Sequence, residues 1–342
     1  MLEKRRYAGV WLALAAMMVV PLAACSSATG TGSGGSTPSA DSGKTYKMIV
    51  GTTSASGSLE VQALKGWSDA VAKATDGRMK ISILPDGQLG NELATQEAII
   101  SGDIQGVSGG ITGVKQWDIL AASYIFKSAD QMMAVMHSPI VDPWRKAWLD
   151  QSGIEVVGFL ERLPRTLTAN REIKTPADLH GLNIRVPGTD VNVETWKVAG
   201  ASPVTIPSQE VYTALQTGVV GAQENALDTA FAQRIMEVQK YVILTAHCYM
   251  PQLVGVSAKY MDSLPGDIAK AVRDEMGNTE KWLSQQLKDQ YPKMLDKIKA
   301  QGDQVVTPDV AAFRKVMLPV TKKYTDPVWG PGFLEKIQAF QG

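Results

Sequence analysis

The sequence predicts an α/β fold in which short strands alternate with helices, and three observations support this prediction. Short apolar runs such as "IEVVGFL" at 154–160 recur along the chain and are typical of buried strands. Segments with apolar residues at helical spacing separate these runs. Beyond the N-terminal region about 300 residues remain, which is enough for two domains of ordinary size.

Strands and helices alternate through the first half of the body. Ser58 is a typical N-cap for a helix that Gly77 ends, and Ser128 opens another helix with Gln131 in the capping-box position. Because strands separated by helices are typical of βαβ crossovers, we expect the strands to run parallel. The predicted strands are at 46–50, 80–84, 103–110 and 154–160, and the predicted helices at 58–77, 91–101 and from 128 onward.

The second half continues in the same manner. Thr175 followed by Pro176 marks a helix start, and a long helix at 267–300 contains Pro292, where we expect a bend. The other predicted elements are helices at 191–198 and 208–217, strands at 203–206, 219–225 and 304–308, and two helices that close the chain.

The stretch "GLNIRVPGT" at 181–189 fixes an arginine on a short strand. Apolar residues alternate there with Asn183 and Arg185, which is the period of a strand with one apolar face. A proline and a glycine then end the strand. Arg185 is either a solvated residue of the polar face or a group aimed at an anion. A guanidinium places two parallel N–H bonds on a carboxylate, which lysine cannot do.

The N-terminus has the pattern of a bacterial lipoprotein signal. A basic stretch at 4–6 precedes an apolar run at 8–22, which is shorter than the roughly 20 residues that a membrane span needs. Because "LAAC" ends at Cys25 and resembles a lipobox, we predict a signal peptide at 1–24 and acylation of Cys25. An ordinary signal peptide and a marginal span are the alternatives. Residues 25–43 are rich in Gly and Ser and are predicted to be a flexible tether.

Composition excludes some classes of function. Lys plus Arg and Asp plus Glu both number 34, and no basic block follows the signal, so the sequence predicts no nucleic-acid partner. An acylated Cys25 leaves Cys248 alone, so no internal disulfide is possible. The three histidines have no metal-ligand spacing, and nucleophile-elbow and Walker motifs are missing. We therefore predict no metal, no cofactor and no enzyme activity.

Four segments together resemble a known family. They are "ISILPDGQLGNE" at 81–92, "TANREIKTPADLHGLNIRVP" at 168–187, "GASPVTI" at 200–206 and "EVYTALQTGVVGAQEN" at 210–225. In this order they resemble the extracytoplasmic solute-binding subunits of tripartite ATP-independent periplasmic (TRAP) transporters, of the DctP type. The resemblance extends from Tyr46 to about Leu264, with a weaker helical tail.

The resemblance implies a two-lobed, periplasmic-binding-protein-like α/β fold with crossing strands and a long helix that joins the lobes. The lobes would close over a small organic acid and deliver it to the small and large permease subunits of the membrane. We expect one lobe at 44–162 and 251–285 and the other at 163–250 and 286–342. The location would be extracytoplasmic and lipid-anchored. A lipid-anchored carboxylate receptor that signals instead of transporting is the alternative.

The resemblance also implies ligand-binding residues. Arg185 matches the family's arginine that forms a salt bridge with the ligand carboxylate, and Arg165 matches a second arginine that faces the ligand. Arg162 and Arg171 lie close enough in sequence to be confused with Arg165. Asn225 matches a ligand-facing asparagine, with the N-cap of the following helix as its alternative role.

Departures from the family pattern bear on the ligand. Sialic-acid-binding members carry an aromatic residue before the "EVY" helix and a glutamate after the third strand, and this chain has neither. Sialic acid is therefore disfavoured. Gly110 at that strand end leaves room, or a free backbone N–H, for another ligand. Thr52 and Thr53 are candidate hydroxyl donors to the ligand, unless they only keep their loop soluble.

Overall fold

The structure is a computed structural model that describes residues 43–110 and 114–341. The predicted signal peptide, Cys25 and the tether up to residue 42 lie outside the described residues. Within them the chain has the predicted mixed α/β architecture, with two β-sheets and helices packed against them. No helix in this part of the chain is long and apolar enough to cross a membrane.

The elements follow the predicted order closely. The strands are β1 (Tyr46–Thr52), β2 (Met79–Leu84), β3 (Gly106–Gly109), β4 (Ile154–Leu160), β5 (Arg165–Ala169), β6 (Asn183–Val186), β7 (Ser202–Thr205), β8 (Ala222–Ala226), β9 (Tyr241–Cys248), β10 (Gln252–Ser257) and β11 (Gln304–Val306). The helices are α1 (Leu59–Ala74), α2 (Glu92–Ser101), α3 (Lys115–Asp118), α4 (Ala129–Met136), α5 (Asp142–Ser152), α6 (Asp190–Val198), α7 (Val211–Gln216), α8 (Leu227–Ala232), α9 (Ala258–Asp262), α10 (Gly266–Ala300), α11 (Val310–Trp329) and α12 (Phe333–Ala339).

The predicted helix caps are confirmed. Ser58 accepts a hydrogen bond from the backbone N–H of Val61 at 3.2 Å, and Ser128 accepts one from Gln131 at 3.1 Å. These side chains satisfy donors that have no partner inside the helix. The prediction missed α3, α5, α9, β5, β9 and β10, because these sequences are short, lack a clear period or sit next to other apolar runs. The helix start predicted at Thr175 and Pro176 is a single 3-10 turn, Pro176–Leu179.

The expectation of parallel strands is only half right. The first sheet has the order β2-β1-β3-β10-β4, and β10 runs antiparallel to both of its neighbours. The second sheet has the order β11-β9-β5-β8-β6-β7, and β5 runs antiparallel to β8 and β9. Both sheets are therefore mixed, because strands that enter from distant parts of the chain set the direction.

The chain passes between the two sheets three times. It leaves the first sheet after β4 through residues 161–164, returns through 249–251 between β9 and β10, and crosses again along α10 to β11. These passages form the joint of a two-lobed molecule. The boundaries expected for the lobes remain a prediction, and the sheet memberships are compatible with them.

The long helix α10 packs against both halves of the molecule. It contacts α1 and β4 on one side and α8 and β11 on the other. The Trp67 indole donates a hydrogen bond to the carbonyl of Val272 at 3.0 Å. Gly158 lets the helix approach β4, because a Cβ there would lie 2.3 Å from Met276 Cγ. The helix continues through Pro292 to Ala300, and the expected bend stays a prediction.

Candidate functional site

A cavity of about 540 Å³ opens where the two sheets face each other. Its wall combines the loop after β1, the start of α2, the end of β3, the strands β5, β6 and β8, the loops after β6 and β7, and the segments that cross between the sheets. Five of the six residues predicted to bind ligand line it, namely Thr53, Gly110, Arg165, Arg185 and Asn225. The fold thus gathers residues that are far apart in sequence into one site.

Arg185 extends from β6 into this cavity. Its neighbours Ile184 and Val186 are fully buried in the core, so packing fixes the direction of the strand. The Nε of Arg185 donates a hydrogen bond to the carbonyl of Ile206 at 2.8 Å. Among residues 43–110 and 114–341, no protein oxygen accepts from its two terminal nitrogens. The polar face of β6 is therefore the cavity wall, and Arg185 is only 4% exposed rather than solvated.

Burial has an electrostatic consequence for Arg185. It lowers the pKa of the guanidinium to about 10, although the negative charge of Glu224 opposes the shift. The side chain still carries its charge at neutral pH. A buried cation with unused donors favours an anionic partner, and a carboxylate matches the geometry of its fork.

Arg165 is equally buried but already has an acidic partner. Its Nε and Nη2 donate to the two carboxylate oxygens of Glu224 at 2.6 and 2.7 Å, and Nη2 also donates to the Glu224 carbonyl at 3.0 Å. Glu224 in turn lies 3.0 Å from Nε2 of His247, whose Nδ1 lies 2.8 Å from the Thr245 hydroxyl. The fork of Arg165 therefore grips a protein carboxylate at the cavity wall.

This buried network has strongly perturbed acid–base properties. Burial alone raises the pKa of Glu224, but Arg165 and His247 together hold it well below its usual range. Burial lowers the pKa of His247, although Glu224 opposes the shift. Glu224 is thus ionised across the physiological range, and it neutralises the charge of Arg165 inside the protein.

Arg162 is a third arginine at the cavity, although the family resemblance implied a role for Arg165 and not for Arg162. Its Nη2 donates to the Thr229 hydroxyl at 2.6 Å and to Asn225 Oδ1 at 3.3 Å. Its Nη1 donates to Gln252 Oε1 at 3.4 Å. Arg171 is exposed, binds the carbonyls of its own loop and does not line the cavity.

The positive charge of Arg162 influences the pKa of two buried carboxyl groups. Burial raises the pKa of Glu60 and of Asp228, and Arg162 opposes both shifts. Glu60 also accepts hydrogen bonds from the hydroxyls of Ser54 at 2.5 Å and Ser108 at 2.9 Å. Arg162 therefore interacts electrostatically with two acidic side chains of the protein.

Asn225 connects two of these arginines. Its Oδ1 accepts from Nη1 of Arg165 at 3.2 Å, from Nη2 of Arg162 at 3.3 Å and from the backbone N–H of Ala226 at 2.9 Å. The N-cap of α8 is Ala226. The alternative role of Asn225 as the helix N-cap is therefore wrong. With its oxygen occupied, only its amide N–H groups remain for a ligand.

Of the three small residues predicted to contact the ligand, Thr53 and Gly110 line the cavity and Thr52 does not. The Thr53 hydroxyl lies at the cavity and donates to Glu92 Oε1 at 3.3 Å. Thr52 is buried and donates to Glu60 Oε1 at 3.3 Å, so it lies behind the wall and does not line the cavity. Gly110 does line it, and a Cβ built there would come no closer than 3.8 Å to Met250. Among the described residues, no atom crowds the Cα of Gly110, so ligand atoms could approach the backbone there.

Sequence reasoning did not assign several other lining residues. They are polar or small and come from turns that show no period, so composition alone gave no signal. Glu92 is the last residue of the "ISILPDGQLGNE" segment, and Ser208 and Gln209 occupy the positions before the "EVY" helix where an aromatic residue is missing. The unassigned lining residues include Glu92, Arg162, Asn192, Thr205, Ser208, Gln209, Thr229, Gln233 and Gln252. Across the described part of the chain, no group of three or more His, Cys, Asp or Glu is placed to hold a metal ion.

Comparison with known proteins gives consistent matches. Residues 50–326 match the DctP family model, described as bacterial extracellular solute-binding protein, family 7. The 2,3-diketo-L-gulonate-binding periplasmic protein YiaO of Escherichia coli K12 is 31% identical over 253 residues, which cover 72% of this chain and 76% of the relative. The sialic acid-binding periplasmic protein SiaP of Vibrio cholerae is 28% identical over 301 residues, covering 86% and 92% of the two chains.

Solved structures match the whole body. A TRAP periplasmic solute binding protein from Polaromonas sp. JS666, bound to D-erythronate, superposes with a TM-score of 0.81 at 25% identity and covers 86% of this chain and 99% of that one. A second, from Desulfovibrio salexigens with bound orotic acid, gives a TM-score of 0.77 at 26% identity over 85% and 96% of the two chains. The chain has the two-lobed fold of these proteins.

Proposed function

The chain belongs to the DctP family, family 7 of the bacterial extracellular solute-binding proteins, and on this premise we propose that it captures a small organic acid for a TRAP transporter. One observation carries the proposal. Arg185 presents a buried guanidinium, with two unused terminal nitrogens, to the cavity between the two sheets. The ligand carboxylate is the partner that this group lacks.

The energetics favour a carboxylate at Arg185. Each charge-assisted hydrogen bond contributes about 1.5–3 kcal/mol net. Arg185 is already largely withdrawn from water before a ligand binds, because the fold leaves only 4% of it exposed. Since packing of β6 holds the fork in place, little conformational entropy is lost when the ligand binds. Thr53, Gly110, Arg165 and Asn225 would complete the contacts around the acid, with Thr52 supporting the loop from behind.

The relatives support an acid as the ligand class. They are named for 2,3-diketo-L-gulonate and sialic acid, or were solved with D-erythronate and orotic acid. All of these are organic carboxylic acids. The residues around Arg185, rather than the relatives, decide which acid this chain prefers.

Binding would be coupled to closure of the two lobes. Thr53 and Gly110 belong to the side of the first sheet, and Arg185 and Asn225 to the side of the second. A ligand that touches both sides favours the closed conformation through contacts that the open one lacks. Small-angle scattering with and without a cognate acid should show a smaller radius of gyration in the complex. Equal radii would contradict the closure mechanism.

The N-terminus supports an extracytoplasmic, membrane-tethered protein. We propose that Cys25 is acylated after removal of residues 1–24, and that residues 25–43 hold the body off the membrane for the small and large permease subunits. Mass spectrometry of the membrane-bound protein tests this. A mature N-terminus elsewhere, or an unmodified Cys25, would rule it out. The alternative of a signalling receptor gains no support from the relatives.

The function itself is tested by a thermal-shift screen of the body, residues 43–342, against organic acids. A ligand that binds the folded form raises the melting temperature by mass action. Calorimetric titration of each hit into the wild type and Arg185→Ala then locates the carboxylate. An acid that binds both proteins equally would place the anion site elsewhere and refute the role of Arg185.

A further inference from the structure

The charges around the cavity allow an inference about the ligand that rests on the proposed function and goes beyond it. Three arginines line the cavity, but they differ in how their nitrogens are used. Both terminal nitrogens of Arg165 and of Arg162 donate to protein oxygens. Among the lining arginines of the described chain, Arg185 alone leaves both terminal nitrogens without a protein acceptor.

The charge of Arg165 is unavailable to a second anion. Glu224 takes two parallel hydrogen bonds from it in a completely buried pair. Glu224 holds the edge of Arg165 formed by Nε and Nη2, so a ligand carboxylate could reach only Nη1, and displacing Glu224 would leave a costly buried, unpaired carboxylate. Arg165 therefore adds a neutral ion pair, not a free positive charge, to the wall.

The charge of Arg162 is also shared within the protein. The buried carboxyls of Glu60 and Asp228 both sense it. Its terminal nitrogens donate to Thr229, Asn225 and Gln252, while its Nε is buried without a protein acceptor among the described residues. Of the lining arginines in the described chain, Arg185 is therefore the one whose two terminal nitrogens can form parallel hydrogen bonds to one ligand carboxylate without competition from a protein oxygen.

Glu92 adds a negative charge to the same wall. It is the first residue of α2, lies at the cavity and accepts a hydrogen bond from Thr53. Within the described ranges, no cation lies within 4 Å of its carboxylate. Its charge is felt at Arg185, although the two form no salt bridge. An ionised carboxylate on the wall accepts hydroxyl hydrogens and repels a second ligand carboxylate.

The rest of the wall combines apolar residues, the carboxyl group of Asp118 and several neutral hydrogen-bonding groups. Hydroxyls and amides of Asn192, Thr205, Ser208, Gln209, Gln233 and Gln252 line it. Ser208 and Gln233 bond each other and Gln252 accepts from Arg162, but their remaining donors and acceptors match those of ligand hydroxyls, which an apolar acid lacks.

We propose that the ligand is a monocarboxylate bearing several hydroxyl groups, a sugar acid, and that Glu92 excludes the corresponding diacid. Arg185 holds the carboxylate, Glu92 accepts from a ligand hydroxyl, and the neutral side chains bind the other hydroxyls. A second ligand carboxylate would lie beside Glu92, whose like charge repels it.

The test compares acids that differ in one group. D-galactonate and D-gluconate are titrated calorimetrically beside their diacids, galactarate and D-glucarate, and beside neutral galactitol. We expect a monoacid to bind the wild type at least about tenfold more tightly than its diacid, since like charges in a buried site repel strongly. Glu92→Gln should narrow that ratio by raising the affinity for the diacid. Glu97→Gln, an exposed change on the same helix, should leave the ratio unchanged.

The outcomes separate this inference from the proposed function. If no acid binds, the proposed function is refuted and the inference falls with it. If a diacid binds as tightly as its monoacid, or if succinate binds most tightly, carboxylate capture stands and the inference is overturned. Loss of diacid binding in Arg162→Gln would then assign the second carboxylate to Arg162. An unchanged ratio in a folded Glu92→Gln protein would also overturn the role of Glu92.

Discussion

Arg165 and Arg185 lie on the same sheet, line the same cavity and are 7% and 4% exposed, yet their surroundings are opposite. Arg165 on β5 grips Glu224 on β8 with two short hydrogen bonds. Among the residues that the structure describes, Arg185 on β6 has one hydrogen bond, to a backbone carbonyl. Burial therefore does not distinguish them, and the presence of a carboxylate partner does.

The difference separates two uses of a buried arginine. A paired guanidinium fixes the position of two strands and of Asn225, and its charge is already neutralised. An unpaired one lowers the stability of the free protein, because its charge has lost water without gaining an anion. That cost is recovered only when an anion arrives, so the unpaired arginine is where binding energy is to be expected.

The strongest test of this comparison breaks the Arg165 pair. Glu224→Gln leaves a buried guanidinium without its anion and should lower the free energy of unfolding by about 3–5 kcal/mol. Chemical denaturation measures the change. The double variant Arg165→Met/Glu224→Leu is the control and should recover much of the loss, since it removes both charges of the pair. A loss below about 1 kcal/mol in Glu224→Gln would mean that the pair contributes little.

Removing Arg185 should instead affect binding. Arg185→Ala should weaken the affinity for a cognate acid by about 2–5 kcal/mol, as expected when a buried charge pair loses one partner. Arg185→Lys keeps the charge but loses the fork, and it should bind less tightly than the wild type. Calorimetry gives both values. Arg171→Ala, at an exposed arginine outside the cavity, is the control and should bind as the wild type does.

The free protein should gain stability when the Arg185 charge is removed. Burial lowers the pKa of Arg185 from its ordinary value to about 10, which corresponds to a cost of roughly 3 kcal/mol as an upper bound. The cost is present in full below pH 10 and fades above it, because the folded pKa is the lower one. Arg185→Met should therefore unfold at higher denaturant concentration from pH 6 to 8. A variant destabilised like Glu224→Gln would give Arg185 a structural role.

The smallest effect concerns Glu60, a buried carboxyl group whose pKa is influenced by Arg162. Arg162 is intermediate between Arg165, which has a carboxylate partner, and Arg185, whose terminal nitrogens have no acceptor among the described residues. Burial raises the pKa of Glu60 above 4.5, so the stability contributed by its protonated form is present below pH 4.5 and lost as pH rises through the raised pKa. Glu60→Gln cannot ionise, so it avoids the loss of folding stability that ionisation of Glu60 causes as pH rises. Its free energy of unfolding relative to the wild type, measured by chemical denaturation, should increase between pH 4.5 and 8 by an amount on the order of 1 kcal/mol or less. A difference independent of pH would show that Glu60 does not titrate in this range.

Local features of the fold were predictable because their causes lie within a few residues. Ser58 and Ser128 cap helices through N–H groups three positions away, and the apolar period of β6 set its position and that of Arg185. The resemblance added the two-lobed architecture and the candidate residues. Strand direction was not predictable, since β10 pairs with β3 and β4 from about a hundred or more residues away, and side-chain pattern does not encode direction.

The sequence by itself determined that Arg185 sits at the end of a packed strand, and that the chain is α/β with a lipoprotein-like N-terminus. Only the tertiary structure decided which arginine is free. Glu224 stands 59 positions from Arg165, and the antiparallel pairing of β5 with β8 brings them together. Glu92 is placed on the cavity wall opposite by a different sheet. The charge on an arginine is fixed by its chemistry, but its partner depends on contacts that no local pattern records.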